Sequence, residues 1–149
     1  MIAINASSAY LRARSPETLK RVTDLQREFG LAAGGPALSV EQQANYDRRY
    51  HDIVGTEPKA GVADLVNAVD YAVKRIGIDH VGLSSDFNHG GGVVGWNDVG
   101  ETANVTTELK RRGYDDVAIA KKLWSGNVLR IWQAAIDARD PDYRSQASN

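Results

Sequence analysis

Asp86, Asn88 and His89 stand close together and run straight into three glycines, Gly90-Gly91-Gly92. A carboxylate at such a junction can act as a general acid or base, bind a substrate amine, or ligate a metal. The competing role for Asp86 is structural: its side chain could cap the turn by accepting backbone N–H bonds. Residue spacing alone leaves those two roles evenly matched. His89 is the weaker candidate, because a lone loop histidine is more often neither ligand nor proton carrier. His80 falls inside an apolar stretch and reads as a satisfied core residue, and His51 ends a polar helix and reads as solvated. No His-x-His, His-x-Asp or His-Glu-x-x-His spacing occurs, so a self-contained zinc site is not expected. The glycine run could cradle a phosphate. It lacks, however, the Lys-Ser/Thr ending of a P-loop and the spacing of a dinucleotide fingerprint.

Asp86 must be positioned by the elements around it. Residues 78–87 are short, largely apolar and bounded by Gly77 and the glycines after His89, which predicts a parallel strand covered on both faces. Residues 2–6 predict a second short strand. Ser15-Pro16-Glu17 starts a helix, with Ser15 as cap and Pro16 at the first helical position. Leu19, Val22, Leu25 and Phe29 then recur at helical spacing, and Gly30 can end it. Gly34-Gly35-Pro36 predicts a break. Ser39 begins a more polar helix running to about His51, with Tyr46, Arg48, Arg49 and Tyr50 and little apolar stripe. Val62, Leu65, Val66, Val69 and Val73 form the cleanest amphipathic pattern, ended by Gly77. Thr102 or Asn104 starts a helix through Leu109, and Asp115-Asp116 caps another, which Ser125-Gly126-Asn127 interrupts. Val128, Ile131, Trp132, Ala135 and Ile136 give a last apolar stripe. Lys110-Arg111-Arg112 reads as a solvated helix end, favourable beside the negative end of the helix dipole. Trp96, Trp124 and Trp132 read as packing anchors, with Trp96 also placed to line a pocket.

Strand, helices, strand, helices is a βαβα order, so the fold class is α/β with parallel strands. In such folds ligands gather at the C-terminal ends of strands, which is where Asp86 falls. Two strands do not close a sheet, and a complete (β/α)8 barrel needs roughly 250 residues. The 149 residues therefore predict a piece of a larger fold, or a chain completed by another copy of itself. Hydrophobic residues make up 42% and charged residues 25%, the balance of a globular chain rather than a disordered one. A net charge of -1 gives no reason to expect nucleic acid or an acidic membrane surface as partner. The absence of cysteine excludes disulfides and thiolate metal sites. No apolar run approaches the roughly 18 residues of a membrane span. The opening residues lack the basic region and apolar core of a signal peptide, so a cytoplasmic location is the default expectation.

Residues 78–90, reading IDHVGLSSDFNHG, resemble the late strand and loop of the membrane dipeptidase (renal dipeptidase) family of zinc peptidases. Asn104-Val105-Thr106-Thr107-Glu108-Leu109, Arg111-Arg112-Gly113-Tyr114 and Gly126-Asn127-Val128-Leu129-Arg130 agree in order and spacing, and Ile2-Ala3-Ile4-Asn5 is similar to an earlier strand of the family. The resemblance covers residues 1–138, as the C-terminal portion of a TIM-type (β/α)8 barrel with about two βα units, and leaves 139–149 as a polar tail. It implies a metallodipeptidase with two zinc ions hydrolysing dipeptides, in which a zinc-bound hydroxide attacks the peptide carbonyl. By the same resemblance Asp86 takes the proton from the nucleophilic water and passes it to the leaving amine. Asn88, where other members carry a second aspartate, His89 and Tyr10 are its candidate substrate contacts. Asn5 and Tyr10 follow the opening strand toward the site. The family's zinc ligands and its substrate-holding arginine lie on earlier strands, so the resemblance assigns no metal ligand to this chain. Its implied partners are a dipeptide substrate and either the missing N-terminal barrel segment or further copies of the chain. The alternative reading is a non-catalytic barrel fragment, an interaction module without metal.

Overall fold

The computed structural model describes residues 1–31 and 37–139; the Gly34-Gly35-Pro36 break and the tail from Asp140 lie outside them. Two compact units emerge, one from residues 1–11 and 60 onward, the other from residues 12–59.

The first unit is built on two parallel strands, β1 (Ile2–Asn5) and β2 (Val81–Ser84), in the register Ile2↔Val81 to Asn5↔Ser84. A parallel pair needs a crossover, and the principal helix of this unit lying between the two strands is α4 (Val62–Ile76). Its apolar pattern is the one visible in the sequence: Leu65, Val66 and Val69 are fully buried, and Gly77, with φ of 82°, ends it. After β1 the chain forms the short α1 (Ser8–Leu11). After β2 come α5 (Thr102–Arg111), a turn of helix α6 (Asp116–Ala118), a π-helical stretch at Ile119–Trp124, and α7 (Gly126–Asp137). Val105 and Leu109 of α5, Ile119 and Leu123 of the π stretch, and Val81, Val93 and Trp96 join the α4 residues in one core. Burying each such Val or Leu contributes roughly 1.5–3 kcal/mol. Phe87, Trp96 and Trp124 stack edge to face in sequence, with centroids 5.5 Å apart at each step. Trp96 is therefore core rather than pocket wall.

Gly126 makes the passage from the π stretch into α7 possible: a Cβ there would stand 1.8 Å from the Lys121 carbonyl oxygen. The next residue, Asn127, is 1% exposed, and its Nδ2 donates to the carbonyls of Ile78 and Val81 at 2.7 and 2.8 Å. One side-chain amide thus holds the entry to β2.

The second unit holds α2 (Pro16–Glu28) and α3 (Val40–Val54). Ser15 caps α2 through Thr18 N–H, and Ser39 and Gln42 form a reciprocal capping box on α3. Phe29 meets the Tyr46 ring edge to face at 5.6 Å, and Arg49 forks onto Glu28 at 2.6 and 2.7 Å. No residue of α3 is fully buried, in keeping with its weak apolar stripe.

Several expectations are corrected. The strand expected at 78–87 is four residues long, because Ile78–His80 forms a 3-10 turn and Asp86 turns the chain out of the sheet. His80 lies in that turn and is exposed, not a core residue. In α2, Val22 and Leu25 are buried as the spacing predicts, but Leu19 is 50% exposed and Thr18 takes its place on the buried face. Arg112 is not a solvated helix end. Its guanidinium donates to Asp70, Glu108 and Asn67 at 2.7, 2.8 and 2.8 Å, tying α5 to α4. The stripe of α7 exists but lies open: Val128, Ile131, Trp132 and Ile136 are exposed, Trp132 by 64%, so this tryptophan anchors nothing among the described residues.

Candidate active site at the strand ends

β1 and β2 end at the same edge, and the chain leaving each strand builds the site. Past β1, Ala6 N–H donates to the Ser84 carbonyl at 2.8 Å, extending the pairing by one step. Past β2, the backbone reverses at Asp86, whose φ of 55° is the only positive value of a non-glycine residue among those described. Aspartate tolerates this left-handed conformation better than most side chains, but it still carries strain. The loop is then closed by backbone groups: His89 and Gly91 N–H donate to the Asp86 carbonyl at 3.0 and 2.8 Å, and Gly92 N–H donates to the Ala6 carbonyl. Gly91 has no room for a side chain, since a Cβ would sit 2.4 Å from the Ser85 carbonyl oxygen. With the Gly91 and Gly92 N–H groups engaged in this way, the glycine run is a device for turning the chain and not a cradle for phosphate.

Within this loop the Asp86 carboxylate does not cap the turn. Its carbonyl does that work, and the side chain makes no capping hydrogen bond. The carboxylate instead accepts from Asn5 Nδ2 at 2.9 Å, across 81 residues of sequence, and the Asp86 side chain keeps 34% of its surface exposed. A carboxylate held on one oxygen, with an open side, is suited to accept and release a proton. His89 Nδ1 stands 3.9 Å from Asp86 Oδ1, with its side chain 85% exposed, so it is a neighbour of the carboxylate and not a fixed partner. Asn88 is exposed on the same turn. Tyr10 lies on α1 with its ring 80% exposed, and the side-chain hydrogen bond of Asp86 goes to Asn5 rather than to Tyr10. The structure thus brings together Asp86, Asn5 and, more loosely, His89.

The pairing of Asn5 with Asp86 carries no local sequence signal beyond both residues falling at strand ends. Asn127, which fixes β2 from behind, looked in the sequence like part of a helix interruption. Its only cue was its place between Gly126 and an apolar stripe.

A zinc site needs three or more converging ligands. Among the described residues no group of three His, Asp or Glu side chains is placed to hold a metal ion. Asp86 with a loosely placed His89 falls short of that, so the described residues do not fit a zinc centre. Nor is any described helix long and apolar enough to cross a membrane.

A family model for membrane dipeptidases, peptidase family M19, matches residues 1–146. Among curated relatives, the dipeptidase tcpJ of Claviceps purpurea is 35% identical over 83 residues, covering 53% of this chain and 19% of that protein. An uncharacterized protein encoded in the pqqA 5' region of Klebsiella pneumoniae is 34% identical over 76 residues, covering 46% of this chain and 27% of its own length. Among solved structures, the probable dipeptidase PvdM of Pseudomonas aeruginosa superposes with a TM-score of 0.71 at 46% identity, over 85% of this chain and 35% of that one. The chain spans about a third or less of the length of these relatives. With its matched strand ends, loop and helices, this chain belongs to the membrane dipeptidase family, peptidase family M19.

Proposed function

We propose that this chain is the C-terminal part of a dipeptidase barrel and that Asp86 is its proton-transfer residue in peptide-bond hydrolysis. The observation that carries this reading is the state of the Asp86 side chain. It sits at the C-terminal edge of parallel strands, is left out of turn capping, and is held from one side by Asn5. As water adds to the dipeptide carbonyl carbon, the carboxylate takes one of its protons. As the C–N bond breaks, the same group returns that proton to the departing amine. The zinc dependence of the family enters through ligands on segments other than those described, so no residue of this chain is assigned to metal. The substrate is a dipeptide, with Asn88 and His89 on the exposed turn and Tyr10 on α1 as its candidate polar contacts. The partner that completes the site is the rest of a (β/α)8 barrel. In its absence the open face of α7 pairs with a second copy.

The test is zinc content and hydrolysis of a simple dipeptide by the purified protein, alongside Asp86→Asn. Turnover lost in Asp86→Asn with the fold intact supports the assignment, and turnover retained there sinks it. A second reading, a non-catalytic barrel module, is favoured by one observation, the absence of a converging ligand set among the described residues. Purified protein with neither zinc nor turnover, even with added metal, would select that reading for the chain alone.

A further inference from the structure

We propose that Asn5 is the positioning residue for Asp86: its amide claims Oδ2 and thereby leaves Oδ1 as the oxygen that exchanges the proton. The inference rests on the reading of Asp86 given above, but its geometry stands apart from it. Asn5 is the last residue of β1, paired in register with Ser84, and is fixed there by the sheet. Its Nδ2 donates to Asp86 Oδ2 at 2.9 Å. The other half of the amide, Oδ1, is buried and has no hydrogen-bond partner among the described residues. An orphaned buried acceptor is unfavourable, and side-chain amides normally turn to avoid one. Turning here would set amide oxygen against carboxylate oxygen, so the bond to Asp86 decides the orientation. A residue kept only for packing has no need of an amide in this place. A leucine of similar volume would remove the orphaned oxygen altogether.

The consequence for Asp86 is directional. Its backbone is in the left-handed region and its turn is closed by its own carbonyl, so the loop fixes where the side chain starts but not where it points. Asn5 supplies the second fixed point. With Oδ2 engaged, Oδ1 is left on the side of His89, whose Nδ1 is 3.9 Å away, toward the exposed turn. A carboxylate free to rotate would present either oxygen in many directions. Orientation of a reacting group is a large part of its effectiveness, and a misplacement of about 1 Å can cost about 100-fold in rate.

The experiment uses the full chain and three readouts. First, solvent exchange of the Asn5 side-chain amide protons is measured by NMR against the exposed Asn88. Exchange slowed by about 10-fold or more in the wild type, and released in Asp86→Ala, is expected for a bond to a half-buried carboxylate. Second, three-bond couplings about the Asp86 Cα–Cβ bond are compared in wild type and Asn5→Leu. One rotamer is expected in the wild type and averaging over rotamers in the variant, with the urea midpoint moved by no more than about 0.5 M because the orphaned oxygen goes with the amide. Should Asn5→Leu fail to fold, Asn5→Ala, which removes both the donor and the orphaned oxygen without adding a charge beside Asp86, takes its place. Third, in whatever form of the protein turns over dipeptide, Asn5→Leu is expected to lower kcat by about 10- to 100-fold with KM within about threefold. An Asn5 amide that exchanges like that of Asn88, an Asp86 rotamer unchanged in the Asn5 variant that folds, or an unchanged kcat overturns the proposal. Failure of the parent reading looks different: the amide and rotamer results hold while Asp86→Asn retains turnover.

Discussion

Replacing Asp86 by asparagine, glycine and alanine separates the side chain's hydrogen bond from the strain in its backbone. The hydrogen bond from Asn5 to a partly buried carboxylate contributes roughly 1.5–3 kcal/mol. Holding an ordinary residue in the left-handed region, where Asp86 has φ of 55°, costs about 1–2 kcal/mol, while glycine is at ease there. Asp86→Ala loses the bond and gains an ill-suited backbone, so it is expected to lose about 2–4 kcal/mol. Asp86→Gly loses the same bond but relieves the strain, leaving it about 1 kcal/mol more stable than the alanine variant. Asp86→Asn keeps an acceptor oxygen for Asn5 Nδ2 and a residue type that tolerates this conformation, and should stay within about 1 kcal/mol of wild type. Urea unfolding resolves this order, because at a slope of about 2 kcal/mol/M the full span covers more than about 1 M in midpoint. Asparagine as damaging as alanine would refute the role of the hydrogen bond, and glycine no better than alanine would refute the strained turn. Since asparagine cannot accept the proton, the series also yields a variant of near-native stability on which loss of turnover is a matter of chemistry alone.

Asn127→Leu should cost about 2–4 kcal/mol in urea unfolding, because the nearly isosteric side chain leaves the Ile78 and Val81 carbonyls without their buried donor; a loss under about 1 kcal/mol would show that water replaces it. Bonds from Arg111 and Arg112 hold the Glu108 carboxyl at about 2, below its ordinary 4.5. The folded state is therefore favoured in full above about 4.5, and this contribution drains away as pH falls toward about 2. The urea midpoint should fall across that window and fall less steeply in Glu108→Gln; parallel profiles would refute the linkage. The open stripe of α7 predicts self-association of the isolated chain, measurable by sedimentation, which Ile131→Glu with Trp132→Glu should weaken; a sharply monomeric wild type would count against it.

What was legible in the sequence is what depends on neighbours in the chain. Ser15 before Pro16, Ser39 with Gln42, and Asp115 ahead of Asp116 were readable as helix starts because a cap needs only the next turn of backbone, and all three cap as expected. The α4 stripe was readable because one helix face carries its own period. Beyond that range the signals fail for identifiable reasons. The strand at 78–87 looked longer than it is because nothing local announces that Asn127, from α7, takes the carbonyl of Ile78, or that Asp86 adopts a left-handed turn. Arg112 looked solvated because its partners Asp70 and Asn67 lie more than 40 residues away. In α7 the apolar stripe was legible as a stripe, but a period says which face is apolar and not what covers it.

The candidate site divides along the same line. Asp86 was visible as a residue type at a strand end, yet the choice between turn cap and free carboxylate could not be made from spacing, since both roles ask for an aspartate in that place. Two contacts decide it. The carbonyl of Asp86 closes the turn, so the side chain is not needed for that, and Asn5 reaches it from the neighbouring strand. Both depend on the parallel register that sets Asn5 opposite Ser84, and that register is a property of the packed core under the sheet rather than of either segment. The arrangement also limits what the described residues can do by themselves. They place a carboxylate at the strand ends and hold it through one oxygen, the part that the proposed proton transfer would use. A converging set of metal ligands is not among them.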